Sequence, residues 1–319
     1  MKLNYLCFIV LLLEASFVQA QFTDVINSNR PGKSQSAFAV GKNVFQIESG
    51  LYTFNEKHDL MATESTGFGT DLSLRYGFMK EELELILDLQ YQGDQFKTIL
   101  GNENRKGFKQ ITVGGKYLFY DPNKNYVAPK NFHSWKAKYK FKWREFIPSI
   151  AGYAGFNLRI NNPYTFKSDE RISPKVALIT QNQFTGGIVV VINVIADKFT
   201  TDFPTYGYIL TITKGFNEKW SGFVENQGFK SDYYADAILR GGAAYLIKDN
   251  IQIDASLTSN FKDTPSVFYG AFGISWRFDA NYTPVLLKID NKKNKDKKKQ
   301  DKKEKKKKKK SKKIKALQL

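Results

Sequence analysis

The feature that most constrains this fold is alternation. In "LELILDLQY" (83–91), Leu83, Leu85, Leu87, Leu89 and Tyr91 share one face, opposed by Glu84, Asp88 and Gln90, with Ile86 the exception. "TDLSLRYGF" (70–78), "NIQIDASLTS" (250–259) and "VFYGAFGISWRF" (267–278) repeat the pattern. Successive side chains on a strand point to opposite faces, so a period of two marks a strand with one apolar side. Runs of this length exceed the roughly 5–6 residues usual in soluble sheets. They match the ~9–11 residues of a tilted membrane-crossing strand.

Twelve strands are expected, at 43–54, 67–79, 82–92, 108–120, 147–160, 173–185, 186–196, 204–215, 218–229, 232–247, 250–260 and 266–278. Short turns ("MKEE", "TGG", "GFNEK", "IKDN") alternate with longer polar loops at 55–66, 93–107, 161–172 and 197–203. That asymmetry belongs to outer-membrane barrels, whose short turns are periplasmic. An even strand count then puts both termini in the periplasm. One connection departs from the rule. Tyr120 to Phe146 contains "WKAKYKFKWR" (135–144), which alternates apolar, mostly aromatic, residues with basic ones. We expect an insertion at 121–146, a strand extension or hairpin beyond the membrane; a count of fourteen strands stays open.

A β-sandwich or a lipocalin-like barrel would alternate in the same way, with the apolar face turned inward. Strand length, the N-terminus and the aromatic load favour the membrane. The chain has 26 Phe and 17 Tyr, many near strand ends as aromatic girdles require. Residues 1–20 read as a secretory signal: Lys2, an apolar stretch from Leu3 to Leu13, then Val18 and Ala20 before a cleavage site. Cys7, the one cysteine, would leave with it, so no disulfide, thiol nucleophile or thiolate metal site is expected in the remainder. The fold class expected is all-β, an antiparallel transmembrane barrel spanning 43–278, in the outer membrane of a Gram-negative bacterium.

The net charge of +18 is unevenly spread. The last thirty residues hold 17 of the 49 basic residues and 4 of the 31 acidic ones. A stretch this polar cannot bury enough surface to offset the entropy of ordering, so 279–319 reads as a disordered Lys-rich tail. Lysine runs neutralise phosphate, but the tail lacks stacking aromatics and would lie in the periplasm. Its expected partners are therefore anionic headgroups or cell-wall polymer, and no nucleic acid.

Several stretches resemble the outer-membrane barrel family named for a MetA pathway of phenol degradation, whose members are often called transporters. In "INSNRPGKSQSAFAVGKNVFQIESGLYTF" (26–54) the matching positions are Arg30, Pro31, Ser36, Gly41, Gln46, Glu48 and Gly50. Asn29 stands where the family has aspartate. Further matches are "VGGKYLF" (113–119), "IPSIAG" (147–152), "SPKVALITQN" (173–182) and most of 206–278. The insertion and the tail lie outside the resemblance. It implies a channel-like barrel for hydrophobic or aromatic solutes and supplies no catalytic residue.

An enzyme is not expected. His58 falls in an outer loop and His133 in the insertion. Ser134 beside His133 would point to the opposite face of a strand, which defeats a nucleophile–base pair. No cofactor or metal site is expected, and the Gly-containing loops do not fit a phosphate-binding pattern. With the apolar faces outward, the lumen-lining charges are Glu48, Arg75, Glu84, Asp88, Lys116, Arg159, Glu225, Arg240, Asp254 and Arg277. Five acids and five bases suit paired structural charge, a solute pathway, or both. Residues 21–42 are expected to be a periplasmic leader or a lumen plug. In the plug reading Arg30 reaches Glu48 or Asp88, and Pro31 sets an extended approach. Partners are outer-membrane lipid and the barrel assembly machinery, which would read the aromatic end of the last strand. The leading function is passive diffusion of small solutes through a constricted lumen. A sealed anchoring barrel with a wall-binding tail is the alternative, and a barrel lipid hydrolase the third.

Overall fold

A computed structural model describes residues 26–124, 142–160, 163–165, 170–232 and 234–278. The expected signal (1–20), residues 21–25, most of the insertion with His133, and the Lys-rich tail (279–319) lie outside the described residues. Twelve strands form a closed antiparallel barrel, each paired with its sequence neighbours and β1 closing on β12. The strands are β1 (Phe45–His58), β2 (Thr63–Gly77), β3 (Leu83–Thr98), β4 (Gly101–Tyr120), β5 (Ser149–Leu158) and β6 (Ile172–Phe184). They continue with β7 (Ile188–Asp197), β8 (Thr205–Gly215), β9 (Trp220–Ser231), β10 (Ala235–Lys248), β11 (Ile251–Asn260) and β12 (Ser266–Phe278). β4 pairs directly with β5, so the insertion adds no strand to the wall and the count of fourteen falls away.

Polarity is inverted relative to a soluble barrel. On β1, Gln46 and Glu48 point inward at 0% and 2% exposure, while Leu51 points outward at 68%. Phe68, Val113, Leu178, Val194, Val224, Leu257 and Phe272 also face outward. Aromatic pairs flank this apolar band: Trp276–Phe278 (4.0 Å) and Trp220–Tyr245 (4.8 Å) at the lower rim, where β1 starts, and Tyr91–Phe108 (5.3 Å) toward the upper rim. Outward apolar and inward polar faces with aromatic girdles make this a transmembrane barrel. No helix among the described residues is long and apolar enough to cross a membrane, so the strands do the crossing. The run "IVVVINVIA" breaks alternation because Val189 and Val191 pack inward against Ile86, Ile179 and Ala37, while Val194 faces out.

Two expectations are corrected. Residues 55–66 and 93–107 are mostly strand: β1 and β2 are joined by a tight turn at 59–62, and β3 and β4 by residues 99–100. His58 accordingly ends β1. These extensions, such as "GNENRKG", are polar on both faces because they rise above the apolar band, so no alternation announces them. The result is one tall third of the wall, β1 to β4. β4 runs down from Gly101 but pairs with β5 only from Thr112, leaving a step in the barrel edge. The second correction concerns the end of "WKAKYKFKWR". Trp143 to Phe146 form a short 3-10 turn rather than a strand.

Candidate functional site

Residues 26–44, ahead of β1, run through the barrel interior without joining a strand. Their backbone N–H groups need acceptors, because buried donors are costly if left unmade. Wall side chains supply them. Asn29 N donates to Glu48 (3.2 Å), Lys33 N to Glu225 (3.0 Å) and Ser34 N to Glu225 (3.2 Å). Gln35 N donates to Asn193 Oδ1 (2.6 Å), and Asn193 Nδ2 donates back to Gln35 O (3.0 Å). Ala37 N donates to Gln181 Oε1 (2.9 Å) and Val40 N to Glu84 Oε2 (2.8 Å). Side chains from β1, β3, β6, β7 and β9 thus stand in for a neighbouring strand.

The charges form three ion-paired groups around the segment. Arg75 lies between Glu48 (2.9 Å) and Glu84 (3.0 Å), and Lys116 sits 2.7 Å from Glu84. Arg75, Glu84 and Lys116 are fully buried. Burying charges is expensive unless they are paired and their remaining hydrogen-bond capacity is met. The segment meets it: Arg75 donates to Asn27 O (2.8 Å), and Lys116 to Ser36 O (2.6 Å) and Phe38 O (3.0 Å). Glu225 also accepts from Thr211 and pairs with Arg240.

Arg30 does not reach Glu48 or Asp88, the partners expected from sequence. Glu48 is taken by Arg75, Gln46 and the Asn29 amide, and Asp88 by Ser73 Oγ (2.6 Å). Arg30 instead pairs with Asp254 (3.1 Å) and approaches Asp71 (3.9 Å), which also meets Lys33 (2.8 Å). Its guanidinium runs between Gly50 and Gly273, where an added Cβ would stand 2.3 Å from Arg30 nitrogens. Pro31 follows a cis peptide in a turn rather than setting an extended approach.

The ion pairs around the segment therefore join Glu48, Arg75, Glu84, Lys116, Glu225, Arg240 and Asp254. Arg159 lies elsewhere, just past β5, and Arg277 opposite Gln46 near the lower rim. Within these pairs the wall contributes five acids (Glu48, Asp71, Glu84, Glu225, Asp254) and three bases (Arg75, Lys116, Arg240). Arg30 and Lys33 make up the difference. These pairs are thus balanced by wall plus segment, with Asp88, Arg159 and Arg277 of the expected lumen set standing outside them. Asp71 was missed although its inward phase was legible. Gln181, Asn193 and Thr211 were missed because a search for charge passes over neutral acceptors.

Cavities lie on both sides of the segment. One of about 340 Å³ opens toward the lower rim past Gly215 and Asn217; Arg30 and Ser34 line it opposite Val189, Val191 and Phe223. Another of about 310 Å³ lies at the upper end beside the step in the wall, lined by Lys109, Asn157, Arg159, Tyr164 and Asp197. Inward-facing Tyr52, Phe54 and Tyr269 cluster above the segment, with ring centroids 5.5–6.0 Å apart.

No curated protein sequence matches this one significantly. Among solved structures, the COG4313 outer membrane channel from Pseudomonas putida F1 is 9% identical, with 79% of this chain and 100% of that chain covered and a TM-score of 0.49. The translocator domain of the autotransporter NalP from Neisseria meningitidis is 9% identical, covering 75% and 89% with a TM-score of 0.45. The family model described as "Putative MetA-pathway of phenol degradation" matches residues 28–278. The match takes in all twelve strands and most of the interior segment, and the chain belongs to that family.

Proposed function

We propose that this protein is an outer-membrane channel for small solutes, closed in the described state by residues 26–44 acting as a plug. The observation that carries the reading is the charge balance. The wall groups ion-paired around the segment hold two more acids than bases, and Arg30 and Lys33 neutralise that excess. In the proposal the lower rim, with both termini, is periplasmic.

The mechanism follows from what each group gains on opening. Withdrawing the plug dry would strip Glu48, Glu84, Glu225 and Lys116 of the hydrogen bonds they make to the segment, each worth about 1.5–3 kcal/mol for a charged hydrogen bond. Withdrawing it as water enters exchanges those bonds for hydration. Opening is therefore coupled to wetting, and the open lumen is polar, with the carboxylates that faced Arg30 and Lys33 exposed to water. The step at β4–β5 gives solute a low side by which to reach the upper cavity. The family description supports a small aromatic solute.

Planar-bilayer recording of the intact protein and of a variant lacking residues 22–40 tests this. Larger and more frequent unitary currents in the variant are expected. Equal currents would remove the plug role, and no current in either would favour the sealed anchoring barrel. Block of the variant's current by benzyl alcohol but not by arabinose would support the solute class.

A further inference from the structure

The short turn Trp143–Phe146 is fastened to the outside of the barrel. Gln181 points inward on β6, so Asn182 and Phe184 face out. Asn182 Nδ2 donates to Glu145 O (3.1 Å), and the Thr185 amide donates to Glu145 Oε2 (3.0 Å). The Phe146 ring meets Phe184 edge-on at 5.2 Å, and Trp143 lies 6.2 Å from Phe146. Glu145 and Phe146 therefore hold the turn against the lipid-facing side of the β6–β7 hairpin at the lower rim. Trp143 is 80% exposed, with Phe146 and Ile147 also exposed. This apolar surface continues the lower aromatic girdle outward from the wall. Beside it stand Lys142, its side chain 47% exposed and 3.9 Å from Glu145, and the exposed Arg144, which donates one guanidinium N–H to the Pro122 carbonyl. On the same rim Lys80 lies 5.9 Å from the outward Tyr117 ring.

We propose that residues 142–147 form an interfacial foot that seats in the lower leaflet and grips anionic phospholipid headgroups. Indole rings favour the headgroup level because one end is apolar and the other wet. Lysine and arginine lay their stems on apolar surface and place charge at the phosphates. Basic groups beside an anionic leaflet gain attraction that decays within a Debye length. The foot lies on the lipid side of the girdle and not beneath the mouth, so its continuity with the girdle selects lipid over a soluble partner. The inference rests on the barrel spanning a membrane and does not depend on conduction; identifying the leaflet as periplasmic rests on the reading above.

The test uses the full chain with Trp135, Trp220 and Trp276 replaced by Phe, so that Trp143 is the single emitter. It is reconstituted in phosphatidylcholine vesicles with and without phosphatidylglycerol. A matching variant retaining only Trp276, in the girdle, reports insertion. The expected result is a blue-shifted Trp143, protected from iodide and quenched by brominated lipid, with the shift larger when phosphatidylglycerol is present. Lys142→Gln with Arg144→Gln should abolish the phosphatidylglycerol dependence while Trp276 stays quenched. If Trp143 emits as in water while Trp276 is quenched, the foot does not contact lipid and the proposal fails; a protein partner would then be the occupant to seek. Equal shifts in both lipids overturn the headgroup assignment.

Discussion

Gly50 and Gly273 are directly paired across the β1–β12 seam, and the guanidinium of Arg30 lies in the space their absent side chains leave. Gly50→Ala or Gly273→Ala should expel Arg30 from Asp254, because the new methyl would lie 2.3 Å from its nitrogens. Overpacking typically costs about 1–3 kcal/mol. Since the segment is not part of the wall, the barrel should still form. Heat-modifiable gel mobility should be retained and channel currents should rise. Unchanged currents together with unchanged protection of the segment from protease would refute the slot.

Glu225 holds the Lys33 and Ser34 amides, Thr211 and Arg240 at once. Glu225→Gln should loosen the segment and leave Arg240 as a buried charge without its counter-ion, at about 3–5 kcal/mol. Adding Arg240→Met should recover most of the loss. Hydrogen exchange at Lys33 and Ser34 reads the first effect, and the thermal midpoint of the mobility shift reads the second. Equal stability of the single and double variants would mean that the pair is not coupled.

Glu82 and Lys124 tie the β2–β3 turn to the start of the long β4–β5 connection. The hydrogen bond with Lys124 holds Glu82 below the usual carboxylate range, and the same contact raises Lys124. The Glu82 contribution is present above its unfolded value and lost as pH falls through the depressed one. The Lys124 contribution is complete below its unfolded value and lost as pH rises through the raised one. Both groups are partly solvated, so the effect is small. Proteolysis near Asp121 should stay flat across neutral pH and quicken toward either extreme. A steady change across neutrality would contradict the pairing.

Deleting residues 290–319 should leave insertion and heat-modifiable mobility intact, since the family match ends at 278 and the barrel closes on β12. Failure of the shortened chain to assemble would show that the tail takes part in folding.

Alternation made the wall legible: each of the twelve strands was anticipated, and Arg75, Glu84 and Lys116 took their inward phase from it. It failed where its cause was absent. The upper hairpins of β1–β4 have no lipid to face, so neither side needs to be apolar. Arg30's partner was out of reach because Asp254 lies 224 positions away and the slot between two glycines has no side chains to signal it. The neutral acceptors Asn193 and Gln181 were silent for a related reason. Their role comes from a chain that crosses the lumen, which no local pattern records.

The seat for residues 26–44 also fixes an order of events. Its acceptors come from β1, β3, β6, β7 and β9, and the Arg30 slot exists only where the first strand meets the last. Until β12 pairs with β1 the Arg30 slot is incomplete. The stretch that precedes every strand in the chain thus completes its full set of contacts only in a closed cylinder.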